Sequence, residues 1–277
     1  MTVSAVDDTS GSGEDSIAIS PALQRFEVKA GGSVSEELTV INNGQTETEF
    51  IVYSRPYSVK NEQYQPQFEK TSANTDLYQW VRFNKTSYTL GPGERVVIPY
   101  SIGVPAKAAP GGHYGVIFVE TQPAQDTNES VVRKKRIGSI ILANVDGDIT
   151  RQGELISTHV DFWQTTPPLT ASNRVENTGN TDFQAHITTV VKDMFGSVKH
   201  NQTKDYIIYP GTIRNITFEW NQASWFGLFR VEQTVKVLDD STNASHLVLM
   251  LPRWLLVVVI ALIVVGAGYG LLRRKRR

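Results

Sequence analysis

Residues 254 to 272 make nineteen consecutive positions without a charged side chain, and five Lys or Arg follow at Arg273-Arg274-Lys275-Arg276-Arg277. As a helix rising about 1.5 Å per residue, that stretch matches a hydrocarbon core of roughly 30 Å. Leu, Ile and Val fill twelve of its positions. At about −0.3 to −0.6 kcal/mol each, they favour insertion by roughly 5 kcal/mol before the glycines are discounted. A buried core helix rarely stays apolar on every face, and Gly266, Gly268 and Gly270 suit a membrane helix better than a soluble one. The stretch predicts a transmembrane helix. The basic tail predicts its orientation: 273–277 cytoplasmic, everything before Trp254 outside.

The rest of the chain must therefore fold on its own outside a membrane. It contains no cysteine, so disulfides cannot hold it, and its domains depend on burial alone. A net charge of −1 gives no reason to expect a nucleic-acid partner. N-x-S/T sequons occur at Asn84, Asn128, Asn201, Asn215 and Asn243 and matter only in a host that glycosylates. Export needs a signal, and the first twenty residues hold no apolar run of the required length. Val3-Ser4-Ala5 has the small residues of a cleavage site, so the given start is expected to lie inside a signal peptide whose front is missing. The rival is a tail-anchored protein with its domains in the cytoplasm, which must carry five cations across the bilayer.

Residues 1–15, acidic and rich in Ser and Gly, read as a disordered leader. From there on, strands alternate with turn residues. Phe26 and Val28 lead to Gly31-Gly32. Leu38 and Val40 run into Asn42-Asn43-Gly44, a hairpin signal, with Phe50 and Val52 beyond it. Val96, Ile98, Tyr100, Ile102 and Val104 keep strict period two, as in a half-buried strand. Tyr114 to Val119 and Ile137 to Val145 are continuous apolar runs. No stretch before residue 247 carries a helical period. The expected fold is all-β: two immunoglobulin-like β-sandwich domains in tandem, 16–148 and 153–250, plus the C-terminal transmembrane helix 254–272.

The two halves share a grammar. Val40 to Thr46 (VINNGQT) is answered by Val175 to Thr181 (VENTGNT). Tyr88 to Gly93, with a strand after it, is answered by Tyr206 to Gly211. The first half holds extra chain from Arg55 to Lys85, and extra loop on a rigid scaffold is where binding concentrates. Tyr57, Tyr64, Tyr78 and Trp80 are its candidate binding residues, since interface hot spots favour Tyr and Trp. Tyr57 and Tyr64, set among polar residues and Pro56 and Pro66, are expected to be exposed. Trp80 and Phe83 read equally as core. Arg133, Lys134, Lys135 and Arg136 form a basic run: a solvated hairpin edge, or a contact for anionic wall polymer or lipid headgroups.

No constellation for catalysis is found. The histidines at 113, 159, 186, 200 and 246 lack metal-ligand spacing, and no nucleophile elbow, phosphate loop or dinucleotide fingerprint occurs. The expectation is a non-enzyme with no cofactor and no metal. Leu251-Pro252-Arg253-Trp254 has the placement of a sortase signal but not its Thr and Gly.

Several motifs carry a resemblance. N-x-G (Asn42 to Gly44), the Trp80 segment, L-G-P-G-E (Leu90 to Glu94), I-x-V-P (Ile102 to Pro105), P-G-G-H-Y (Pro110 to Tyr114) and the run from Gly138 to Gly147 resemble the N-terminal domain of WxL-interacting proteins. These are Gram-positive surface proteins related in fold to pilus chaperones. The resemblance implies a bacterial, membrane-anchored adhesion or scaffold protein at the cell surface. Its first domain would bind peptidoglycan or another wall polymer, and its second would bind surface proteins. The alternative is a membrane-tethered assembly chaperone that acts by strand exchange.

Overall fold

A computed structural model describes residues 17–72, 74–122, 134–255 and 264–266. The described chain is mostly strand, with one 3-10 turn at Asp76–Gln79 and helical residues at 253–255 and 264–266. It divides into two compact units. One comprises residues up to 60 together with 66–149; the other comprises 61–65 together with residues from 150 onward. Among the described residues no helix is long and apolar enough to cross a membrane. The leader 1–15, Arg133, most of the expected span 254–272 and the tail 273–277 lie outside the described residues.

The first unit is a sandwich of two sheets. One runs β1 (Ile17–Ser20), β3 (Ser33–Asn42), β9 (Arg95–Gly103), β7 (Val81–Phe83). The other runs β2 (Leu23–Val28), β11 (Arg136–Val145), β10 (Gly111–Thr121), β4 (Thr48–Pro56), β8 (Ser87–Leu90). β1 pairs antiparallel with β3, whereas β2 pairs parallel with β11, so the first strand of the sandwich is split between the sheets. This is immunoglobulin-like topology. The period-two residues Ile98, Tyr100 and Ile102 point inward from β9 onto Leu38, Phe50, Ile117 and Ile141. At residues 58–67 a short ladder forms from β5 (Ser58–Lys60) and β6 (Gln65–Gln67).

The second unit repeats the plan. One sheet runs β12 (Gly153–His159), β14 (Leu169–Asn177), β17 (Thr212–Trp220). The other runs β13 (Trp163–Gln164), β19 (Asp240–Met250), β18 (Gly227–Val237), β15 (Phe183–Asp193), β16 (Val198–Ile208). Again the split first strand pairs parallel with the last, β13 with β19. The core holds Leu169, Val191, Phe218, Val231 and Met250 toward one end and Val175, Ile187, Ile216 and Val235 toward the other.

The Asn42-Asn43-Gly44 turn is not the hairpin that the sequence leads one to expect, and its counterpart at Asn177 is not a hairpin either. β3 and β4 belong to different sheets, and so do β14 and β15. The buried Asn42 side chain donates from Nδ2 to the carbonyls of Thr46 at 2.8 Å and Leu90 at 3.0 Å, and its Oδ1 accepts from Gly44 N at 2.9 Å. Asn177 does the same with Thr181 at 2.9 Å, Ile208 at 2.8 Å and Gly179 N at 2.9 Å. The backbone oxygens of Asn42 and Asn177 accept from Gly93 and Gly211, both in the left-handed region. The repeat thus extends to individual hydrogen bonds, and its job is to carry the chain from one sheet to the other.

Candidate functional site

The outer face of the second sheet of the first sandwich carries an open depression of about 880 Å³. Period two on β4 sends Val52 into the core and Tyr53 and Arg55 outward, and on β10 it sends Ile117 and Val119 inward and Phe118 outward. Phe68 follows β6 and meets the ring of Phe118 edge-on at 4.9 Å. Arg136, the first residue of β11, lies over Phe118 at 4.4 Å and Phe68 at 5.6 Å. Arg55, Phe68, Tyr78 and Arg136 all line the depression. Gly138 is required beside it: a Cβ there would stand 2.8 Å from both Phe118 and Val116.

Charge is arranged along the rim. Tyr53 donates from its hydroxyl to Glu120 at 2.6 Å, and Lys134 approaches Glu120 at 3.7 Å. Burial, then the carboxylate it serves, push the Tyr53 phenol above its ordinary range. Arg55 stacks over Tyr53 at 5.4 Å. The result is an aromatic floor with guanidinium groups on it, fitted to flat polar ligands or to an anionic chain. Among the described residues no group of three or more His, Cys, Asp or Glu is placed to hold a metal ion.

The residues singled out from sequence part company here. Tyr78 and Arg136 meet in the depression, and Lys134 stands on its rim. Lys135 joins the chain to β10, its N–H donating to Thr121 Oγ1 at 2.9 Å. Arg133 is outside the described residues. Trp80 is core, buried beside Leu77 and Val81 with its ring 4.6 Å from that of His113. The two residues expected to be exposed are not. Tyr57 is only 6 % accessible, its ring 6.1 Å from Phe68, because the chain after β6 folds back over it. Tyr64 belongs to the second unit, stacked on Tyr209 at 5.8 Å with Arg214 over its ring at 4.5 Å. Its hydroxyl accepts from the Tyr209 N–H at 3.1 Å. In the same short segment Glu62 takes a bidentate pair from Arg174, at 2.8 and 2.5 Å, which holds its carboxyl below the usual range. Arg55, Phe68 and Tyr53 were missed. The alternation Val52-Tyr53-Ser54-Arg55 marks the outward positions of β4, but only the fold shows that Phe68 closes over them.

A second feature is an open strand edge. β2 pairs with β11 only from Ile140 onward. Among the described residues no strand pairs with the outer edge of β11 along Arg136–Gly138, whereas Ser139 is buried and its hydroxyl donates to the Pro21 carbonyl at 2.7 Å. The Ile140 N–H points to that side, donating to Ala22 O at 2.9 Å, so by alternation the backbone groups of Gly138 and Arg136 face it too. Ile137 is 36 % exposed there.

No protein-family model matches the sequence, and no curated protein does. The resemblance to WxL-interacting proteins therefore rests on turn motifs. Solved structures similar to this chain include pilus chaperones. One is the chaperone–tip adhesin complex of CFA/I fimbriae, with 13 % identity, 84 % of this chain and 98 % of that one covered, and a TM-score of 0.40. Another is the class 5 fimbriae chaperone CfaA, with 11 % identity, 84 % and 99 % covered, and a TM-score of 0.41. A third is the CsuC–CsuE chaperone–tip adhesin pre-assembly complex of Acinetobacter baumannii, with 10 % identity, 83 % and 98 % covered, and a TM-score of 0.43. At these scores the likeness carries no argument about function or partner.

Proposed function

We propose that this chain is a membrane-tethered, non-enzymatic assembly factor at the outer face of a cell membrane. It holds a polypeptide partner by strand addition to the first sandwich. The edge of β11 at Arg136–Gly138, unpaired among the described residues, carries this reading. An extended segment laid on an exposed edge gains main-chain hydrogen bonds from the edge and specificity from alternate side-chain sites. The depression supplies such a site, since Arg136 belongs both to the edge and to its lining. Lys134 and Lys135 beside the edge deter indiscriminate pairing, as charged edge residues do. They leave it open to a polar or acidic strand. The tether is the uncharged segment 254–272, with the basic tail on the cytoplasmic side.

A second reading is the adhesion role, in which the first domain binds a wall polymer such as peptidoglycan. What favours it is the aromatic and guanidinium lining of the depression, which suits sugar rings with acidic substituents. One experiment separates the two. A photo-crosslinking residue at Ile137 is compared in intact cells with one at Val97, an exposed position on the opposite sheet. Strand addition predicts discrete protein adducts from position 137 that disappear when Arg136, whose N–H faces the edge, is also replaced by Pro, and none from position 97. No adduct from 137, together with loss of binding to purified wall in Arg55→Ala/Tyr78→Ala, would replace the first reading by the second.

A further inference from the structure

Three loops of the second sandwich meet at one end. Asp193 pairs with Phe229 and Gly227 with Met250, so the β15–β16 turn and the β17–β18 loop are neighbours. Trp163 pairs with Leu249, which brings the β12–β13 loop alongside. Their tips carry Phe162, Trp163, Met194, Phe195, Trp225 and Phe226, with exposures from 43 % to 85 %. Of the exposed large apolar side chains among the described residues 150–250, all but Ile156 and Leu247 lie in these loops or the strand ends next to them. The opposite end is built from Thr178-Gly179-Asn180, Pro210-Gly211 and Asp239-Asp240. One end of the sandwich is apolar and the other polar.

The exposure is built in. Asp193 Oδ1 accepts from the N–H groups of Phe195 and Ser197, both at 2.9 Å, and fixes the turn whose tip is Phe195. Gln164, itself buried, exchanges bonds with Thr170, donating to its carbonyl and accepting from its N–H at 2.8 Å each. Trp163 spends its indole N–H on the Leu251 carbonyl at 2.8 Å, leaving the apolar ring to face out. A hydrophobic surface held in place by its own polar groups is a contact surface rather than a packing fault.

We infer that this end of the second sandwich rests on a lipid bilayer, with the six side chains in its headgroup layer. The inference rests on the membrane-tether reading. β19 ends at Met250, and the uncharged segment begins at Trp254. The four Cα–Cα steps from Met250 to Trp254 reach at most about 14 Å, so a bilayer spanned by the segment lies within reach of these loops and not of the polar end. Trp favours the membrane–water boundary, and an apolar surface of Trp and Phe lying there sinks about 5–10 Å into it. The charges nearby are mostly paired: Asp193 with Lys199 at 3.0 Å and Lys192 with Glu232 at 2.7 Å. Contact is therefore expected on zwitterionic lipid and is insensitive to salt.

The absence of cysteine makes the test direct. Single variants Phe195→Cys, Trp225→Cys and, at the polar end, Asp239→Cys carry an environment-sensitive fluorophore. Each full-length chain is reconstituted in phosphatidylcholine vesicles and floated. The expected result is co-flotation of all three. The probes at 195 and 225 should then be blue-shifted, lose most of their emission to brominated lipid and resist iodide, and the probe at 239 should do the reverse. Failure to float overturns both the tether and this inference. Flotation with all probes quenched by iodide overturns the inference alone. Probes at 195 and 225 that resist iodide yet ignore brominated lipid assign the surface to a protein contact, such as a second copy, and also overturn it.

Discussion

At the scale of single residues, Asn42 and Asn177 show how much one side chain can specify. Each is fully buried where the chain passes between sheets; Asn177 satisfies two carbonyls and one N–H, and Asn42 does the same with a third, longer bond to the Gly91 carbonyl at 3.2 Å. Truncation leaves those groups dry and unpaired, which costs about 1–3 kcal/mol per group. Asn42→Ala and Asn177→Ala are each expected to lower the urea midpoint of their own unit only, as read by hydrogen exchange. Trp80 makes the converse point. Its type suggested a ligand, and its position is core, so Trp80→Ala should cost about 3–5 kcal/mol of stability in the first unit. Trp80→Phe, once folded, should bind any partner as the parent does. Tyr57 and Tyr64 misled for the same reason: polar neighbours in sequence say nothing of an aromatic partner in space. For Tyr64 that partner, Tyr209, is 145 residues away.

At the scale of elements, β10 explains why Tyr114 to Val119 is a continuous apolar run. It is central in its sheet, with the core and the 3-10 turn on one face and Phe68 against the other. The turn is pinned by His113, whose ring is buried. In the protonated form Nδ1–H donates to Asp76 at 2.6 Å and Nε2–H to Ala109 O at 2.9 Å. Burial alone would lower this histidine's pKa, but the bonds to Asp76 and Ala109 outweigh it and raise the value. A raised folded-state pKa gives stability that is complete below the ordinary value of about 6.5 and is lost as pH climbs through the folded value. The melting temperature of the first unit should therefore fall as pH rises from about 6 through that value. His113→Gln should flatten the dependence. A first unit whose stability rises over the same window would contradict the assignment.

At the scale of the whole molecule, each unit has its own core. Ile98 is fully buried in one and Phe218 is 5 % accessible in the other. Ile98→Ala and Phe218→Ala should each cost about 2–5 kcal/mol in the unit that contains it. Calorimetry in which both substitutions lower one shared transition equally would mean that the units melt together. The tether reading predicts that protease added to intact cells digests 17–250 and spares the tail. Neutral residues in place of Arg273–Arg277 should weaken that orientation. Protection of the sandwiches in intact cells would place them on the other side of the membrane.

Strand alternation, turn chemistry and the repeated V-x-N-x-G-x-T pattern were enough to read an all-β chain with immunoglobulin-like sandwiches, because period two and turn residues are local physics. Their limit shows at Asn42-Asn43-Gly44, where the same local signal serves a hairpin or a crossing between sheets, and only the pairing of β3 with β9 and β4 with β10 decides. The depression required Phe68 to close over Phe118 and Arg136, the open edge required β2 to begin pairing at Ile140, and the apolar end required three loops distant in sequence to converge. Each depends on which distant residues become neighbours. That is set by burial summed over a whole sandwich, and no short window of sequence contains it.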